Sequence, residues 1–266
     1  MRTPRLIASD ADGTLLNPLE RVSDRTGAVV RRALDAGAMF VVATGRPPRW
    51  TLPVMRQLDL VGPAVCNNGS MVYDFAENRV ISRSALDAVL LRDAAEAVTR
   101  AIPGSTLAVE RLEDSNADCF LIEDGYTHAW PDTESVRVAR DELLGMPAVK
   151  LLVRNALMTS DEMATAAKAV LDGVVDVTFS IGTGLIEIVV AGVTKATGLE
   201  LLADAYGIDA ADVIAFGDMP NDIAMLSWAG QGVAMGNAHA SVLEVADEVA
   251  APNSEDGVAQ VLERWF

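Results

Sequence analysis

Several residue classes are scarce in this 266-residue chain, and each scarcity narrows what the protein can be. Aromatic residues make up only 5% of the sequence, too few for the stacking surface that binds single-stranded nucleic acid. The two cysteines, Cys66 and Cys119, provide no disulfide framework, and the two histidines provide no zinc cluster. No apolar run approaches the ~20 residues of a membrane-spanning helix. Stacking surfaces, disulfide scaffolds and membrane spans are therefore not expected.

Basic residues are also few, with 21 lysines and arginines against 38 acids and a formal net charge of −17. This balance argues against a nucleic-acid backbone or an anionic membrane surface as partner. The first residues, MRTPRLIASDADG, reach charge too soon to hold the apolar region of a secretory signal. We expect a soluble cytoplasmic protein that binds neither nucleic acid nor membrane, and no obligate protein partner is evident.

The order of predicted elements indicates two structural regions. Residues 1–82 and 188–266 alternate short apolar strands with helices, which is typical of an α/β fold with a doubly wound parallel, Rossmann-like sheet. Residues 83–187 begin with a long amphipathic helix and continue mainly with strands. We therefore predict a discontinuous α/β core, 1–82 and 188–266, with an inserted α+β domain, 83–187.

Two acids stand close together at the end of the first predicted strand, in the stretch RLIASDADGTLL. If Asp10 and Asp12 are both ionised and about 4 Å apart, they repel by roughly 4 kcal/mol at a typical protein dielectric. Solvent, a proton or a bound cation must offset that repulsion. A polar turn after a strand is the simpler interpretation of this pair taken alone.

Four predicted strands of the core end in polar groups: SDADGT at 9–14, ATGR at 43–46, CNNG at 66–69 and FGDMPND at 216–222. Ligands of open α/β sheets bind outside the carboxyl ends of the strands. The pattern thus predicts one polar cluster, made of Asp10, Asp12, Thr44, Asp218, Asn221 and Asp222. Carboxylate oxygens are preferred ligands of Mg²⁺, and we expect that cation beside Asp10 and Asp12.

Four motifs in order give the chain a resemblance to a known family. DADGT at 10–14, Thr44 at a strand end, Lys195 before a helix and GDMPND at 217–222 together resemble the haloacid dehalogenase superfamily of phosphohydrolases. The inserted region is similar in position and size to a type IIB cap, as in the Cof-type phosphatases. The resemblance implies a Mg²⁺-dependent phosphatase of small phosphorylated metabolites such as sugar phosphates, with a cap that closes over the core.

The resemblance also implies a transfer through an aspartyl-phosphate. Asp10 would be the nucleophile, and Asp12 would protonate the leaving alcohol and then activate water. Thr44, with the backbone after it, would hold the phosphoryl oxygens, and Lys195 would neutralise Asp10 and the phosphoryl group.

The remaining assignments concern the metal and the substrate. The predicted metal set is Asp10, Asp12, Asp218 and Asp222, with Asp222 acting directly or through water. Asn221 would orient the acidic loop or Lys195. The predicted substrate contacts are Thr44, Gly45, Arg46, Asn67, Lys195 and Asn221. The simpler interpretations are a surface charge for Arg46 and a hairpin turn for Asn67 and Asn68.

Two other functions stay open at this point. A phosphosugar mutase of the same fold would return the phosphate to another hydroxyl of the sugar. A non-catalytic phosphosugar-binding module would keep the metal site without turnover.

Overall fold

The computed structural model describes residues 2–111, 120–130, 134–171 and 173–266. Cys119 lies outside the described residues, whereas Cys66 is a buried free thiol. The chain divides into two compact units, the first formed by residues up to Ser82 together with Thr194–Phe266 and the second by Arg83–Val193.

The described strands run along the chain as β1 (Leu6–Ser9), β2 (Met39–Val42), β3 (Pro63–Cys66), β4 (Met71–Asp74), β5 (Arg79–Arg83), β6 (Thr106–Arg111), β7 (Phe120–Ile122), β8 (Val136–Arg137), β9 (Ala148–Thr159), β10 (Val175–Thr178), β11 (Thr183–Val190), β12 (Val213–Gly217), β13 (Gln231–Ala234) and β14 (Glu248–Val249). The described α-helices are α1 (Asp24–Asp35), α2 (Pro48–Gln57), α3 (Ala88–Ala101), α4 (Arg140–Leu143), α5 (Ser160–Leu171), α6 (Lys195–Tyr206), α7 (Ile223–Trp228), α8 (Ala240–Leu243) and α9 (Gly257–Leu262).

The first unit contains the parallel sheet that the sequence predicts. Its strand order is β14-β13-β12-β1-β2, and all four neighbouring pairs are parallel. All four residues of β1 are buried, as expected for a central strand covered on both faces by helices. Because β1 lies between β12 and β2, the carboxyl ends of these three strands meet at one edge of the sheet, where the direction of the winding reverses.

A hairpin extends this edge of the first unit. The strands β3 and β4 pair antiparallel and, with β5, form a separate three-stranded sheet, while an isolated parallel bridge joins Ala43 to Val65. The predicted turn between β3 and β4 is a tight turn over Asn67–Gly69, whose three residues have positive φ angles of 50°, 57° and 97°. The hairpin therefore places Asn67 and Asn68 beside the loop that follows β2.

Local capping fixes where two helices of the first unit begin. The Ser23 hydroxyl accepts a hydrogen bond from the Thr26 N–H and caps α1. Thr194 caps α6 through a reciprocal pair of bonds with Thr197. This cap makes Lys195 the first residue of α6 and thereby fixes the origin of its side chain.

The second unit is an antiparallel sheet with helices. Its strand order is β10-β11-β9-β6-β7-β8, with only the β7–β8 pair parallel, and α3 and α5 pack together and against the sheet. The predicted boundary at residue 187 differs from the structure. Residues Ile188–Val190 pair with β10 as part of β11, so this unit runs to Val193.

In the part of the chain that the structure describes, the longest helix is α3 with 14 residues. No described helix combines the length and the apolar character needed to cross a bilayer.

Candidate active site

Three buried carboxylates gather at the carboxyl edge of the parallel sheet. Asp10 directly follows β1, Asp218 directly follows β12, and Asp222 lies in the turn before α7. One oxygen of each carboxylate lies within 4.8 Å of the others, and all three residues are buried. The Asp10 N–H donates to the Phe216 carbonyl at 3.0 Å, which carries the β1–β12 pairing up to the nucleophile candidate.

A single buried ammonium joins two of these acids. The Lys195 Nζ donates to Asp10 Oδ1 at 2.5 Å and to Asp222 Oδ1 at 2.6 Å, and the lysine side chain is 0% exposed. The hairpin turn touches the start of α6 at Gly69, which has φ +97° and whose missing Cβ would lie 1.9 Å from the Thr194 carbonyl oxygen. A side chain at residue 69 would therefore displace the cap that positions Lys195.

Burial dominates the electrostatics of the cluster. Burial raises the pKa of Asp10 to about 7, against the lowering effect of Lys195 and together with the repulsion of Asp222. Burial likewise raises the pKa of Asp218 to about 8, with further contributions from Asp10 and Asp222. For Lys195, burial acts to lower the pKa, but the charges of Asp10 and Asp222 outweigh it and the pKa is above its ordinary value. The one ammonium therefore does not balance the negative charge of the three carboxylates when all are ionised.

The acidic loop after β12 is held by short-range contacts. The N–H groups of Asp218 and Met219 donate to Asp222 Oδ2 at 2.9 and 3.0 Å, and the Thr14 hydroxyl donates to Asp218 Oδ1 at 3.0 Å. Gly13 has φ +75°, and a Cβ there would lie 2.2 Å from Asp218 Oδ2. Neither Thr14 nor Gly13 was predicted as a site residue, although both belong to the strand-end motif.

Asp12 is paired with the guanidinium of Arg46. Its carboxylate lies outside the cluster of three and accepts a bidentate pair of bonds from Arg46, one of them from Nε to Oδ2 at 2.7 Å and the other from an Nη to Oδ1. That a metal sits against both Asp10 and Asp12 stays a prediction, and in this structure the charge of Asp12 is offset by a guanidinium. Arg46 is accordingly more than a surface charge.

The loop after β2 and the hairpin turn form a second side of the cluster. The buried Thr44 accepts a bond from the Arg46 N–H at its hydroxyl, at 3.1 Å, and one from the Asn68 N–H at its carbonyl, at 3.0 Å. Asn221 Nδ2 donates to Asn68 Oδ1 at 3.0 Å. Gly45 packs here as well, since a Cβ on it would lie 3.0 Å from Asn68 Oδ1. Asn68 thus links the predicted Thr44 and Asn221 and was itself given only a turn role.

Some side-chain amide atoms beside the hairpin turn have no hydrogen-bond partner among the described residues. Both polar atoms of the Asn67 side chain, and Asn221 Oδ1, are buried and have no hydrogen-bond partner among the described residues. Asn67 also has φ +50°, a left-handed conformation that asparagine tolerates better than most residues. Unpaired buried amides are costly, so these atoms indicate places for a partner that the protein chain does not supply.

The donor set fits a divalent cation. Three carboxylates and one ammonium leave an excess of negative charge when all are ionised, and oxygen ligands of this kind suit a hard cation such as Mg²⁺. The raised pKa values of Asp10 and Asp218 and the unpaired Asn221 Oδ1 are the observations that favour an additional cation. Asp10, Asp218 and Asp222 are the residues that could hold it.

Comparison with known proteins identifies the family of the chain. The family model of haloacid dehalogenase-like hydrolases matches residues 7–262. The 5-amino-6-(5-phospho-D-ribitylamino)uracil phosphatase YitU of Bacillus subtilis (strain 168) is 32% identical over 282 residues, covering 99% of this chain and 98% of the relative. The pyridoxal phosphate phosphatase YbhA of Escherichia coli (strain K12) is 27% identical over 281 residues, covering 98% of each chain.

Solved structures share the fold over the whole length. A haloacid dehalogenase-like hydrolase from Bacteroides thetaiotaomicron is 26% identical with a TM-score of 0.77, covering 99% of this chain and 100% of that one. A sugar phosphatase of subclass IIB in the same superfamily has a TM-score of 0.84 at 23% identity, covering 98% of both chains, which shows the fold alone. The chain therefore belongs to the haloacid dehalogenase-like hydrolase family and is an enzyme of the phosphoric monoester hydrolase class.

Proposed function

We propose that this protein is a Mg²⁺-dependent phosphatase that hydrolyses small phosphomonoesters through a phosphate ester of Asp10. The observation that carries the proposal is the position of the Asp10 carboxylate. It lies in a buried cluster with Asp218 and Asp222, 2.5 Å from a wholly buried lysine, at the carboxyl edge of the sheet. Buried acids with shifted pKa values beside a specific charge partner are typical of catalytic groups.

Asp10 supplies the nucleophile in this proposal. Its Oδ1 accepts the bond from Lys195, and no described residue donates a hydrogen bond to its Oδ2. In the first step an Asp10 oxygen forms a bond to phosphorus while the bond from phosphorus to the alcohol oxygen breaks. The Lys195 ammonium keeps Asp10 anionic enough to attack and offsets charge on the phosphoryl group.

Asp12 acts as general acid and then as general base. In the first step Asp12 must carry a proton, which it gives to the departing alkoxide. In the second step it takes a proton from water as that water attacks phosphorus and the bond between Asp10 and phosphorus breaks. Asp12 is thereby reprotonated, and inorganic phosphate leaves.

A divalent cation would be held by Asp10, Asp218 and Asp222, and when bound it would neutralise negative charge that collects around the phosphoryl group. Asp12 stays outside this set because Arg46 binds both of its oxygens. The Asp222 carboxylate also accepts two backbone bonds and one from Lys195. It therefore fixes the acidic loop and the lysine in one arrangement.

The loop after β2 and the hairpin turn hold the phosphoryl oxygens and the ester. The groups that would bind the phosphoryl oxygens are Thr44 and the backbone of Gly45 and Arg46, because they follow β2 at the same sheet edge as Asp10. Asn67 is the best placed of the amides to bind substrate, since both of its polar atoms are buried without a partner among the described residues. Asn221 orients the acidic loop through its bond to Asn68.

The proposed substrates are small phosphorylated metabolites such as sugar phosphates. Relatives are named for phosphatase activity on a phosphoribitylamino-uracil and on pyridoxal phosphate, both of which are small phosphomonoesters. In this proposal the inserted unit is the cap domain and selects the leaving group, whereas the first unit supplies the phosphoryl chemistry.

A panel of phosphomonoesters assayed for free phosphate, with Mg²⁺ and with EDTA, tests the proposal. Asp10→Asn is the decisive variant, and the exposed Asp59→Asn, which removes the same charge elsewhere in the first unit, is its matched control. We expect Mg²⁺-dependent release of phosphate by the wild type and the control, and a loss of at least about 10³-fold in Asp10→Asn. Isomerised sugar phosphate without free phosphate would instead identify a mutase, and retained activity in Asp10→Asn would remove the nucleophile.

A further inference from the structure

The bidentate ion pair with Arg46 restricts the orientation of Asp12, the proposed acid/base group. Asp12 lies in the loop after β1 with non-helical backbone angles, next to Gly13 at φ +75°. Its side chain is 48% exposed, and the Arg46 guanidinium is its one hydrogen-bond partner among the described residues. Without that partner, the carboxylate would be free to sample several rotamers in solvent.

Arg46 is the better anchored member of the pair. Its N–H donates to the Thr44 hydroxyl at 3.1 Å, and its carbonyl accepts from the Asn67 N–H at 3.0 Å. Its guanidinium also donates to the Trp50 carbonyl at 3.5 Å, and its side chain is only 22% exposed. The backbone of Arg46 is thus held by its own loop and by the hairpin turn, whereas the Asp12 side chain has the guanidinium as its partner, so Arg46 is the member that fixes the other.

We propose that Arg46 is a positioning residue that orients the Asp12 carboxylate for proton transfer to the leaving oxygen of the substrate and from the attacking water. This inference rests on the proposed role of Asp12 as acid and base. The planar fork of a guanidinium fixes a carboxylate in both distance and orientation, whereas an ammonium fixes only distance. Arg46 also belongs to the loop proposed to hold the phosphoryl oxygens, so the orientation of Asp12 is tied to the place where phosphorus binds.

The proposal predicts a dependence on the leaving group. Values of kcat/KM report the first transfer step and would be measured with 4-nitrophenyl phosphate and with the best alkyl phosphate of the substrate panel. Nitrophenolate leaves without a proton, whereas an alkoxide needs one. Arg46→Gln should therefore lower kcat/KM for the alkyl ester at least about tenfold more than for the nitrophenyl ester, within the 10²–10⁴-fold typical of general acid catalysis.

A double-mutant cycle separates positioning from direct phosphoryl binding. In the Asp12→Asn background, Arg46→Gln should change the ratio of the two kcat/KM values less than about twofold, because the group that Arg46 orients is gone. Arg46→Lys should resemble Arg46→Gln in this ratio, since it keeps the charge but loses the fork. Arg56→Gln, which replaces an exposed arginine of the nearby helix α2, is the matched control and should match the wild type.

The results for the Asp12 and Arg46 variants distinguish a failure of the proposed function from a failure of the inference on Arg46. If Asp12→Asn leaves alkyl phosphate turnover unchanged, the proposed function of Asp12 fails, and this inference fails with it. If Asp12→Asn shows the leaving-group effect but Arg46→Gln lowers both esters equally, or acts equally in both backgrounds, only the inference on Arg46 is overturned. A wild-type ratio in Arg46→Lys would overturn it as well. Turnover of the nitrophenyl ester by Arg46→Gln and Arg46→Lys, with thermal unfolding curves, shows that the variants are folded.

Discussion

Lys195 and Asp10 lie 185 positions apart in sequence, yet the lysine Nζ and one aspartate oxygen are 2.5 Å apart in the buried site. Thr194 caps the helix that carries the lysine, and the β1–β12 pairing carries the aspartate to the same sheet edge. The contact places a permanent cation against the proposed nucleophile, while Asp218 and Asp222 surround it with negative charge. Activity, stability and metal affinity should all depend on this balance of charge.

Replacing Lys195 by methionine should remove both activity and stability. The variant leaves the buried Asp10 and Asp222 without their ammonium, and removal of one partner of a buried ion pair typically costs about 3–5 kcal/mol. We expect a lower free energy of unfolding in urea and a loss of activity of at least about 10²-fold. Lys168→Met, at an exposed position of α5, is the control and should behave as wild type in both measurements.

Stability of the metal-free protein should fall as the pH rises. The pKa of Asp10 is raised from 3.8 to about 7 and that of Asp218 from 3.8 to about 8. Between about pH 4 and these values the folded protein binds more protons than the unfolded chain, so the free energy of unfolding decreases with increasing pH across that window. Below about pH 4 both states are protonated and the effect disappears.

The pH dependence of stability is measured by urea unfolding in EDTA at several pH values between about 5.5 and 8.5. The wild type is compared with an Asp218→Asn variant at each pH. As the pH rises, the free energy of unfolding of the wild type should fall relative to that of the variant. Added Mg²⁺ should stabilise the wild type more at about pH 8 than at about pH 6, because the cation competes with protons for the carboxylates. A pH-independent difference would contradict the assigned charge balance.

Gly13→Ala should damage the metal site specifically. The new Cβ would lie 2.2 Å from Asp218 Oδ2 on a backbone with φ +75°, so Asp218 or the loop must move. We expect an affinity for Mg²⁺ at least about tenfold weaker, read from the metal concentration that gives half-maximal activity. Gly27→Ala is the control, because a Cβ there meets nothing within 4 Å and alanine favours the helix α1. Equal affinity in wild type and Gly13→Ala would show that Asp218 does not bind the cation.

Asp12→Asn should make turnover depend strongly on the leaving group. An amide cannot donate the proton that an alkoxide needs, so alkyl phosphates should lose about 10²–10⁴-fold in kcat/KM, and nitrophenyl phosphate much less. The two esters are compared at one pH with saturating Mg²⁺. An equal loss for both leaving groups would argue against the acid role of Asp12.

The sequence pattern was sufficient to predict which loops of the core meet. Short apolar strands such as β1 can only be buried between helices, and in a parallel sheet their carboxyl ends share one edge. That rule correctly brings Asp10 to Asp218 and Asp222. The pairing of Lys195 with two acids at once depends on the cap at Thr194, whereas the sequence indicated only that a helix follows Lys195.

Other contacts could not be predicted from the same pattern. The Arg46–Asp12 pair depends on the left-handed turn at Gly13 and on how the backbone of Arg46 is held by Thr44 and Asn67. Asn68 was assigned to a turn because Asn-Gly pairs favour turns, and its bond to Asn221 arises only when two distant loops fold together. The predicted boundary at 187 falls inside β11, which pairs with β10 through Val190, because the pattern of a strand does not show where a domain ends.

Trapping of the covalent intermediate decides whether Asp10 carries the phosphoryl group. Asp12→Asn should still form the intermediate from ³²P-labelled 4-nitrophenyl phosphate and Mg²⁺ but hydrolyse it slowly, because the general base is absent. After acid quench and peptide mapping, the label should lie on Asp10, and none should be found when Asp10→Asn is added. Label on another residue, or steady turnover with no enzyme-bound phosphate, would contradict the role proposed for Asp10.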